Sequence, residues 1–561
     1  MGIWTAYDPG LAWRKFWLIL AAVILYYAVA LQADGRRLIM AFAIFGVCGA
    51  VLTIYFFAAN DWTLSDWSLH ARKIPIVITL AQRIATWFPQ LASHSIAPDM
   101  LGGMAATVLP VYIPLVVLSR SRTRSILWLV AAGLTGLSVL ISTSYGAWLA
   151  VLSVMGVWAA SRGVGWWAGR RRVSIQNTRR ARVAVLVLLA LVGLAVLAAV
   201  VLVVPPGQLP GTIRLADRIR LARESLPLAR DYVWTGAGLG MFPLQFSVYT
   251  LLIHVPYATH SHNVLVDLVI EQGLVGLVSY VSLFTIVAVT GLRHLGNATD
   301  DEAWMLEAGL AGLSVTLVTG LFDDALYGSQ GVLLLFVPLG IVMAAVGIGR
   351  GRSPANFPSS KQSWRNKVAR LGIALLGVAV IGLIAWRPIL AAWYANLGAL
   401  DQSRIELRAY DPNHFDSHSL DQVRRSENLD NAIRLLQAAI RIDPAQPTAR
   451  QRLAGIALSR GDYAAGLEHM QAAWNAGYRD AVTRMLLGDA DIATGRPQEA
   501  AQVTKGLSRA ADRFKFQAWY RYWLKADYVR SADAWTAAVL LNPSDSQSVS
   551  AQAEAMRQAG K

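Results

Sequence analysis

The sequence predicts an all-α protein that consists of a polytopic membrane helix bundle followed by a soluble helical-repeat domain. Of its 561 residues, 55% are hydrophobic and only 15% are charged, which is typical of polytopic membrane proteins. Apolar runs long enough to span a membrane predict about ten transmembrane helices, near 16–31, 38–59, 101–118, 126–142, 146–160, 183–204, 264–291, 305–322, 330–348 and 371–390. The sequence therefore predicts a membrane domain at 1–390, a connector at 391–427 and helical repeats at 428–561.

Positive charge is concentrated in loops between the predicted spans, and this sets the expected topology. The basic loops lie near 120–124, 162–182 and 350–370. Even numbers of spans separate them, so the positive-inside rule places all three in the cytoplasm. These cytoplasmic loops then account for most of the net charge of +16, and no nucleic-acid partner is expected. The predicted location is the inner or plasma membrane, with residues 205–261, the repeats and the N-terminus outside, although Arg14 and Lys15 oppose an outer N-terminus.

Two segments of the soluble part repeat one another. LAGIALSRGDYAAGLEHMQAA, from Leu453, matches LGDADIATGRPQEAAQVTKGL, from Leu487, and Gly461 and Gly495 mark equivalent helix-to-helix turns 34 residues apart. This period resembles that of tetratricopeptide repeats, which are helix pairs that bury their small-residue faces by stacking. Two roles stay open for these repeats: a groove that binds a protein or a glycan, and a scaffold or dimer contact.

Two histidines and an asparagine precede a long apolar segment, in the run THSHNVLVDLVIEQGLVG from Thr259. If a helix starts near His262, at 100° per residue Gly273 and Gly276 lie on the same face as the imidazole. The two glycines would keep a groove open beneath the ring. A titratable group above such a groove at a membrane surface suggests chemistry on a lipid-linked substrate.

The loop before this segment is rich in arginine. From Ile213 to Ala229 its pattern is that of an amphipathic helix. The arginines of the loop are Arg214, Arg218, Arg220, Arg223 and Arg230. In one interpretation one or two of them bind a diphosphate, because guanidinium pairs bidentately with phosphate oxygens. In the other, the helix lies in the membrane interface and its arginines reach lipid headgroups. Gly236, Gly238 and Gly240 follow as a flexible turn, which is only a weak signal for a nucleotide site since no strand precedes it.

Four acidic residues accompany these segments. Asp267 and Glu271 fall on the face opposite His262, where they are expected to meet a neighbouring helix. Asp323 and Asp324 lie in a short outer loop, for which a divalent-cation site and a solvated loop are both open and the solvated loop is the preferred interpretation.

Together these segments resemble the bacterial O-antigen ligase/polymerase superfamily. The family's downstream motif is a His, then Asn, Ser or Gln, nine residues, a Gly, two residues, and Gly, Thr or Tyr; it is met by His262, Asn263, Gly273 and Gly276. The upstream pattern, an Arg eighteen residues before a GxGxxxF turn, is met by Arg218, Gly236, Gly238 and Phe242. The chain departs from the family in having Asp99 where Asn is usual and Ser144-Tyr145 where Ser-Arg is frequent. The resemblance covers roughly residues 40–345.

The resemblance implies a metal-independent, inverting glycosyl transfer without a cofactor on the outer face of the membrane. A glycan would pass from undecaprenyl diphosphate to a hydroxyl of a glycan, lipid or protein acceptor. His262 is expected to act as base or acceptor-positioning group, since neutral imidazole with a pKa near 6.5 suits that task. Arg218 is expected to be the principal diphosphate contact, with Arg220 and Arg223 as auxiliaries, because the leaving group gains negative charge. The amino end of the His262 helix would add a partial positive charge.

Other residues of the motif have less defined expected roles. His260 is a candidate to share the role of base. Ser261 and Asn263 either position the substrate or cap the helix, and capping is the preferred interpretation. Gly273 and Gly276 are expected to line the substrate groove.

Three functions stay open at this point. A ligase would move a preassembled glycan to a separate acceptor, and a polymerase would use the same carrier for donor and acceptor. A non-enzymatic membrane protein would use the repeats as an assembly platform for a protein partner, and the His motif would be structural. The outer repeat domain favours transfer to a separate acceptor. A transporter is disfavoured, since the predicted spans carry almost no charge along a path.

Overall fold

The computed structural model describes residues 2–32, 34–59, 79, 83, 98–170, 181–182, 184–185, 213–296, 298–324, 326–351, 361–411 and 417–560. The secondary structure of these residues is helical throughout, which confirms the all-α prediction for this part of the chain. Seven of the described helices are long and apolar enough to cross a membrane, so the chain is a membrane protein by length and composition.

The first five helices are all candidate spans and match the first five predicted apolar runs. They are α1 (Pro9–Ala30), α2 (Gly35–Ala58), α3 (Pro98–Val117), α4 (Arg122–Ile141) and α5 (Tyr145–Arg170). The helices α4 and α5 are separated by a short turn in which Thr143 has a φ of 55°. They are therefore two helices that meet at a turn and not one broken element.

Short helices occupy the described residues that directly precede the next described span. We call residues 213–263 the interspan segment. Its helices are α6 (Ile213–Glu224), α7 (Leu226–Asp231) and α8 (Phe242–Phe246), and a π-helical turn follows at Ser247–Leu251. The amphipathic helix predicted for residues 213–229 is thus present as two pieces, α6 and α7, which meet at Ser225.

Five further helices complete the membrane part. They are α9 (Val264–Leu295), α10 (Asp300–Phe322), α11 (Val332–Leu335), α12 (Val337–Gly351) and α13 (Lys361–Ala409). α9 and α10 complete the seven candidate spans, and Val332–Gly347 is a shorter apolar stretch. The predicted span at 183–204 lies outside the described residues apart from 184–185, and the one at 371–390 lies within α13. The total of about ten spans stays a prediction.

The C-terminal part is a series of consecutive helices that pack in pairs. They are α14 (Ser417–Ser426), α15 (Asp430–Ile442), α16 (Pro447–Arg460), α17 (Tyr463–Asn475), α18 (Ala481–Ala493), α19 (Pro497–Thr504), α20 (Ala510–Phe516), α21 (Tyr528–Leu541) and α22 (Ser546–Gln558). Gly461 and Gly495 both adopt positive φ, 87° and 79°, in turns between successive helices, and glycine adopts this left-handed conformation without strain. The assignment to tetratricopeptide repeats stays a prediction.

The long helix α13 joins the two parts. It continues without a break through residues 385–409, where part of the connector was predicted. A Cβ at Gly398 would lie 2.7 Å from Leu436, so the end of α13 packs closely on α15. This end of α13 therefore packs with the helices of the C-terminal part. The repeats are thus anchored by a continuous helix and not by a loose linker.

The contacts of the N-terminus show which helix ends share one end of the bundle. Leu239 in the interspan segment donates to Gly2 O at 3.0 Å, and Arg408 at the end of α13 donates to Tyr7 O at 3.0 Å. Lys15, which opposed an outer N-terminus in the sequence, is paired with the buried Glu271 at 2.7 Å. The N-terminus therefore lies at the same end as the interspan segment and the repeats, as the predicted topology requires.

Candidate functional site

Two histidines and an aspartate meet where α9 begins and α10 ends. His262 Nδ1 lies 3.2 Å from Asp323 Oδ1, and His260 Nε2 lies 3.1 Å from His262 Nδ1 and 3.6 Å from the same carboxylate oxygen. The Asp323 side chain is 1% exposed, whereas that of His262 is 26% exposed. The preferred interpretation of residues 323–324 as a solvated loop is therefore wrong. We call His260, His262 and Asp323 the histidine–aspartate cluster.

Arg218 joins this cluster to two other helices. Its guanidinium reaches from α6 to Asp323 at 3.0 Å and to Asp99, at the start of α3, at 2.7 Å. It also donates to Phe322 O at 3.3 Å, and its side chain is only 11% exposed. Asp99, the residue that departs from the family pattern, is thus one of the two carboxylates that hold Arg218. A buried guanidinium between two carboxylates is a fixed structural element of the site.

The electrostatics set the protonation of these groups. Burial raises the pKa of Asp323, but Arg218 and hydrogen bonds from the two histidines outweigh burial and hold that pKa well below its usual range. Burial lowers the pKa of His262 below 6.5, and the hydrogen bond to Asp323 opposes this only in part. Burial, and next the neighbouring Asp267, raise the pKa of Asp324 well above its usual range. Near pH 7 the cluster therefore combines a neutral imidazole with an ionised carboxylate.

The backbone around His262 is fixed by capping interactions. His262 has a φ of 60°, a left-handed conformation that is uncommon for a residue with a Cβ. On one side, Ser261 N donates to both carboxylate oxygens of Asp267, at 3.0 and 3.2 Å. On the other side, Asn263 Oδ1 accepts from the amides of Leu265 and Val266 and caps α9. The helix therefore begins at Val264 and not at His262, and two amides of its first turn are already occupied.

The glycines of the motif hold two backbone segments together. Gly273 has φ 70° and ψ −169°, which interrupts α9. Into this interruption, Ala237 N donates to Ile270 O at 2.6 Å and Leu274 N donates to Val233 O at 2.6 Å. A Cβ at Gly273 would lie 2.6 Å from Trp234 O, so only glycine permits this approach. The continuous helical stripe expected from His262 to Gly276 does not exist, because the helix is broken between them.

Gly276 and two of the upstream glycines, Gly236 and Gly238, are also packed closely against other atoms of the protein. A Cβ at Gly276 would meet the Gln272 side chain of its own helix at 2.4 Å. Gly236, Gly238 and Gly240 all have positive φ, and a Cβ at Gly236 would lie 2.4 Å from Glu271 O. The turn predicted to be flexible is instead packed against the break in α9.

Glu271 links α9 to α1 and to the turn after α10. It accepts from Lys15 Nζ, from Gly240 N at 2.9 Å and from the Tyr327 hydroxyl at 2.9 Å, and it is 3% exposed. Lys15 also lies 4.0 Å from the centre of the Tyr327 ring. The expectation that Glu271 meets a neighbouring helix is confirmed, whereas Asp267 holds the loop that precedes its own helix.

The other arginines of the interspan segment lie elsewhere. Arg220 pairs with Asp217 at 2.9 Å and with Glu224 at 3.9 Å on its own helix, with 48% of its side chain exposed. Arg223 lies on the same helix and is half-buried. Arg230 faces Asp480 of the repeats at 3.7 Å. The side chain of Arg214 lies outside those described. Among these arginines, Arg218 is the one that the structure brings to the histidine–aspartate cluster.

The cluster has the donor atoms of a possible metal site. One nitrogen from each histidine and one oxygen of Asp323 lie within 4.8 Å of one another. Imidazole and carboxylate are common ligands of divalent transition metals. However, the Arg218 guanidinium lies 3.0 Å from the other oxygen of Asp323, so a fixed positive charge already neutralises this carboxylate and would repel a metal cation.

The pairing of Arg218 with Asp99 and Asp323 is not predicted by the sequence. Asp99 and Asp323 are separated by more than two hundred residues, and neither belongs to the motif around His262. One signal was present: an arginine buried near a membrane needs a carboxylate, and Asp99 and Asp323 each lie at the end of a predicted span.

A known protein family matches part of the chain. Residues 129–281 match a family model described as O-antigen ligase. The matched segment contains Arg218, both histidines of the cluster and Gly273, while Asp99 and Asp323 lie outside it. No curated protein matches the chain. The family match supports the O-antigen ligase superfamily and a membrane glycosyl-transfer function.

Proposed function

We propose that this protein transfers a glycan from undecaprenyl diphosphate to a hydroxyl of a separate acceptor, on the outer face of the membrane. One observation carries the proposal most directly. Within or beside the family-matched segment, a partly exposed neutral histidine, His262, lies on a buried carboxylate that is itself fixed by Arg218. This arrangement suits removal of a proton from a hydroxyl at the end of a helix bundle.

His262 is the proposed base. With its Nδ1–H donating to Asp323 Oδ1, its Nε2 carries the lone pair that accepts the proton of the acceptor hydroxyl. As that proton moves to Nε2, the acceptor oxygen forms a bond to the anomeric carbon of the donor. The bond from that carbon to the diphosphate oxygen breaks, and the diphosphate leaves as an anion. Attack from the face opposite the leaving group inverts the anomeric centre.

Asp323 is the proposed positioning residue of this base. Its carboxylate fixes the tautomer and the orientation of the imidazole and stabilises the imidazolium that forms in the reaction. Arg218 and the histidines lower the pKa of Asp323, so the carboxylate stays ionised even though it is buried. His260, 3.1 Å from His262 Nδ1, supports the same ring and is a second candidate proton acceptor.

Positive charge for the leaving diphosphate comes from the interspan segment in this proposal. Arg218 would keep its bonds to Asp99 and Asp323 and donate its remaining N–H groups to the diphosphate. Arg220 and Arg223, on the same helix, are the auxiliary cations, and the half-exposed Arg220 is accessible to a carrier lipid. The capped amino end of α9 contributes little, since Asn263 already occupies its first amides.

The experiment that tests the function compares cells that carry wild type, His262→Ala or Arg218→Ala at matched expression. We expect either variant to lose surface glycan and to accumulate glycan on undecaprenyl diphosphate. Removal of a general base lowers the rate about 10²- to 10⁴-fold. His469→Ala and Arg434→Ala are matched controls because both residues lie in the repeats, and they should leave surface glycan unchanged.

The length of the accumulated glycan identifies the reaction. Full-length chains on the carrier mean that transfer to a separate acceptor has failed, as proposed. Single repeat units would mean that the protein is a polymerase. Unchanged glycan in both site variants would remove the enzymatic proposal and favour a non-enzymatic assembly role for the repeats.

We further propose that the transfer requires no metal, because Arg218 already supplies a cation to the carboxylate of the histidine–aspartate cluster. The purified protein should therefore keep its rate of transfer after treatment with EDTA and removal of the chelated metal. Loss of activity with EDTA that is restored by one divalent cation would instead assign the cluster to a metal.

A further inference from the structure

A cavity of about 70 Å³, lined by both polar and apolar side chains, lies between the interspan segment and the helical repeats. One buried water needs about 10–15 Å³ of such volume, so the cavity has room for roughly five waters. Its walls come from the π-helical turn and the loop after it, from α13 and from helices of the repeats. They include Tyr249, His254, Gln402, Arg452, Phe516 and Gln517.

The charged groups around this cavity are already paired. Each of four arginines has a carboxylate partner: Arg424 with Glu406, Arg452 with Asp231, Arg513 with Asp489 and Arg521 with Asp421. The carboxylates of these pairs are all at most 12% exposed. The lining therefore presents little uncompensated charge, and a ligand that fits it needs no net charge of its own.

Several single polar atoms of the lining, by contrast, lack a hydrogen-bond partner among the described residues, including one nitrogen of the paired Arg452. Neither amide atom of Gln517, which is 3% exposed, nor Gln402 Oε1 has a hydrogen-bond partner among the described residues. The same holds for His254 Nδ1 and for Nη1 of Arg452. Burial lowers the pKa of His254 to about 4, so its ring is neutral near pH 7. Buried polar atoms without partners are costly, so these atoms need a bound partner.

The unpartnered atoms include both donors and acceptors. The Gln517 amide offers one of each, Gln402 Oε1 accepts and Arg452 Nη1 donates. Hydroxyl groups both donate and accept, so a polyhydroxylated ligand can satisfy all of them. Tyr249 and Phe516 provide aromatic walls for the apolar face of a sugar ring. A peptide backbone would need a longer groove for its regular spacing of donors and acceptors.

We propose that this cavity binds a sugar unit of a glycan on which the protein acts. The proposal rests on the proposed function, since it names a second place where the glycan is held. The chain connects the two places directly: His260 of the histidine–aspartate cluster is six positions after His254 in the cavity. Six residues span at most about 22 Å, so one glycan can contact both.

The test is a calorimetric binding measurement on the full-length protein in detergent. The probe is the oligosaccharide released by mild acid from the cells' own carrier-linked glycan. We expect wild type to bind it and Gln517→Leu to bind about tenfold more weakly, because the amide hydrogen bonds are lost. Gln437→Leu is the matched control, since Gln437 is exposed on α15 and should leave the affinity unchanged.

A second variant guards against misfolding of the first. A Cβ at Gly455 would lie 3.8 Å from Arg424 in ordinary contact, so Gly455→Val enters the cavity without a backbone clash and should also weaken binding. His262→Ala should bind the probe as wild type does while losing transfer, which separates this proposal from the proposed function. Absence of binding to wild type, or unchanged affinity in both cavity variants, would mean that the cavity holds water or a peptide and would overturn the proposal.

Discussion

His262 differs from an ordinary surface histidine in its backbone conformation and in its lowered pKa. A left-handed φ of 60° is held by the cap on α9 on one side and by the bond from Ser261 N to Asp267 on the other. Such strained conformations persist only where neighbouring interactions impose them, and they cluster at functional sites. Here they fix the direction from which the ring approaches Asp323.

The lowered pKa of His262 predicts the pH dependence of transfer. A base works only when it is unprotonated, so activity should fall as the pH drops through the pKa of His262. Burial lowers that pKa below 6.5, so transfer should persist at pH values where an ordinary histidine is already charged. The measurement is kcat/KM for transfer against pH. An acid limb above pH 6.5 would contradict this assignment of the base.

Replacement of Asp323 should change both the rate of transfer and its pH dependence, whereas replacement of a purely structural residue would change the rate alone. Asp323 raises the pKa of His262 in opposition to burial, so Asp323→Asn should move the acid limb to still lower pH. The rate near pH 7 should also fall roughly 10²-fold or more, because the imidazolium loses its counter-charge. An unchanged acid limb with a reduced rate would reduce Asp323 to a packing role.

At the scale of single residues, the sequence identified His262 and Arg218 through their spacing to glycines. It could not identify Asp99 and Asp323 as their partners, because pairing across distant helix ends depends on how the helices pack. For Asp323 the short outer loop left a solvated position or a divalent-cation site, and the structure instead buries its carboxylate. Its burial follows from Arg218, which supplies the positive charge that a buried carboxylate requires.

At the scale of secondary structure, the break in α9 is the main departure from sequence expectation. The expectation that His262, Gly273 and Gly276 share one helix face requires a regular helix from His262 to Gly276. The glycines were expected to line a substrate groove. At Gly273 the helix is instead interrupted, and the backbone of residues 233–238 forms hydrogen bonds at the interruption. Glycine in an apolar helix signals a close approach, and the sequence alone does not show whether a ligand or another backbone segment makes it.

This role of Gly273 predicts a strong effect of a very small substitution. Gly273→Ala places a methyl group 2.6 Å from Trp234 O and requires a positive φ of alanine, so it should destabilise the protein by more than about 1 kcal/mol. Gly133→Ala is the control, since nothing lies within 4 Å of a Cβ at this helical glycine in α4. The measurement is the melting temperature of both variants in detergent. Equal melting temperatures would mean that the break tolerates a side chain.

At the scale of the whole molecule, the repeats and the membrane helices form a connected structure. The sequence predicted both parts, with the three basic loops on the cytoplasmic side and residues 205–261, the repeats and the N-terminus on the outer side, because hydropathy and charge are properties of local segments. It predicted a connector where α13 in fact continues for several turns. Helix propensity continues across residues 391–409, and the close packing of Gly398 on α15, which makes this stretch part of the repeats, involves residues distant in sequence.

A buried ion pair joins the repeats to the interspan segment. Arg452 on α16 lies 3.0 Å from Asp231 at the end of α7, and Thr448 donates to the same carboxylate at 2.7 Å. Asp231→Asn would leave the Arg452 guanidinium buried without its counter-charge, at a cost of about 3–5 kcal/mol. Hydrogen exchange in α16 should therefore accelerate in this variant, since the repeats would separate more often from the interspan segment.

The neighbouring Arg230 supplies the control for this prediction. It donates to Gln451 at 2.9 Å, but its two carboxylate contacts are long, 3.7 Å to Asp480 and 3.6 Å to Asp231. About a third of its side chain is exposed, so loss of its charge in Arg230→Gln should cost only about 1 kcal/mol. Combining Asp231→Asn with Arg452→Met should restore part of the protection of α16, because no unpaired charge then remains buried. If Asp231→Asn and Arg230→Gln accelerate exchange equally, the repeats are held by the continuous helix α13 and not by this ion pair.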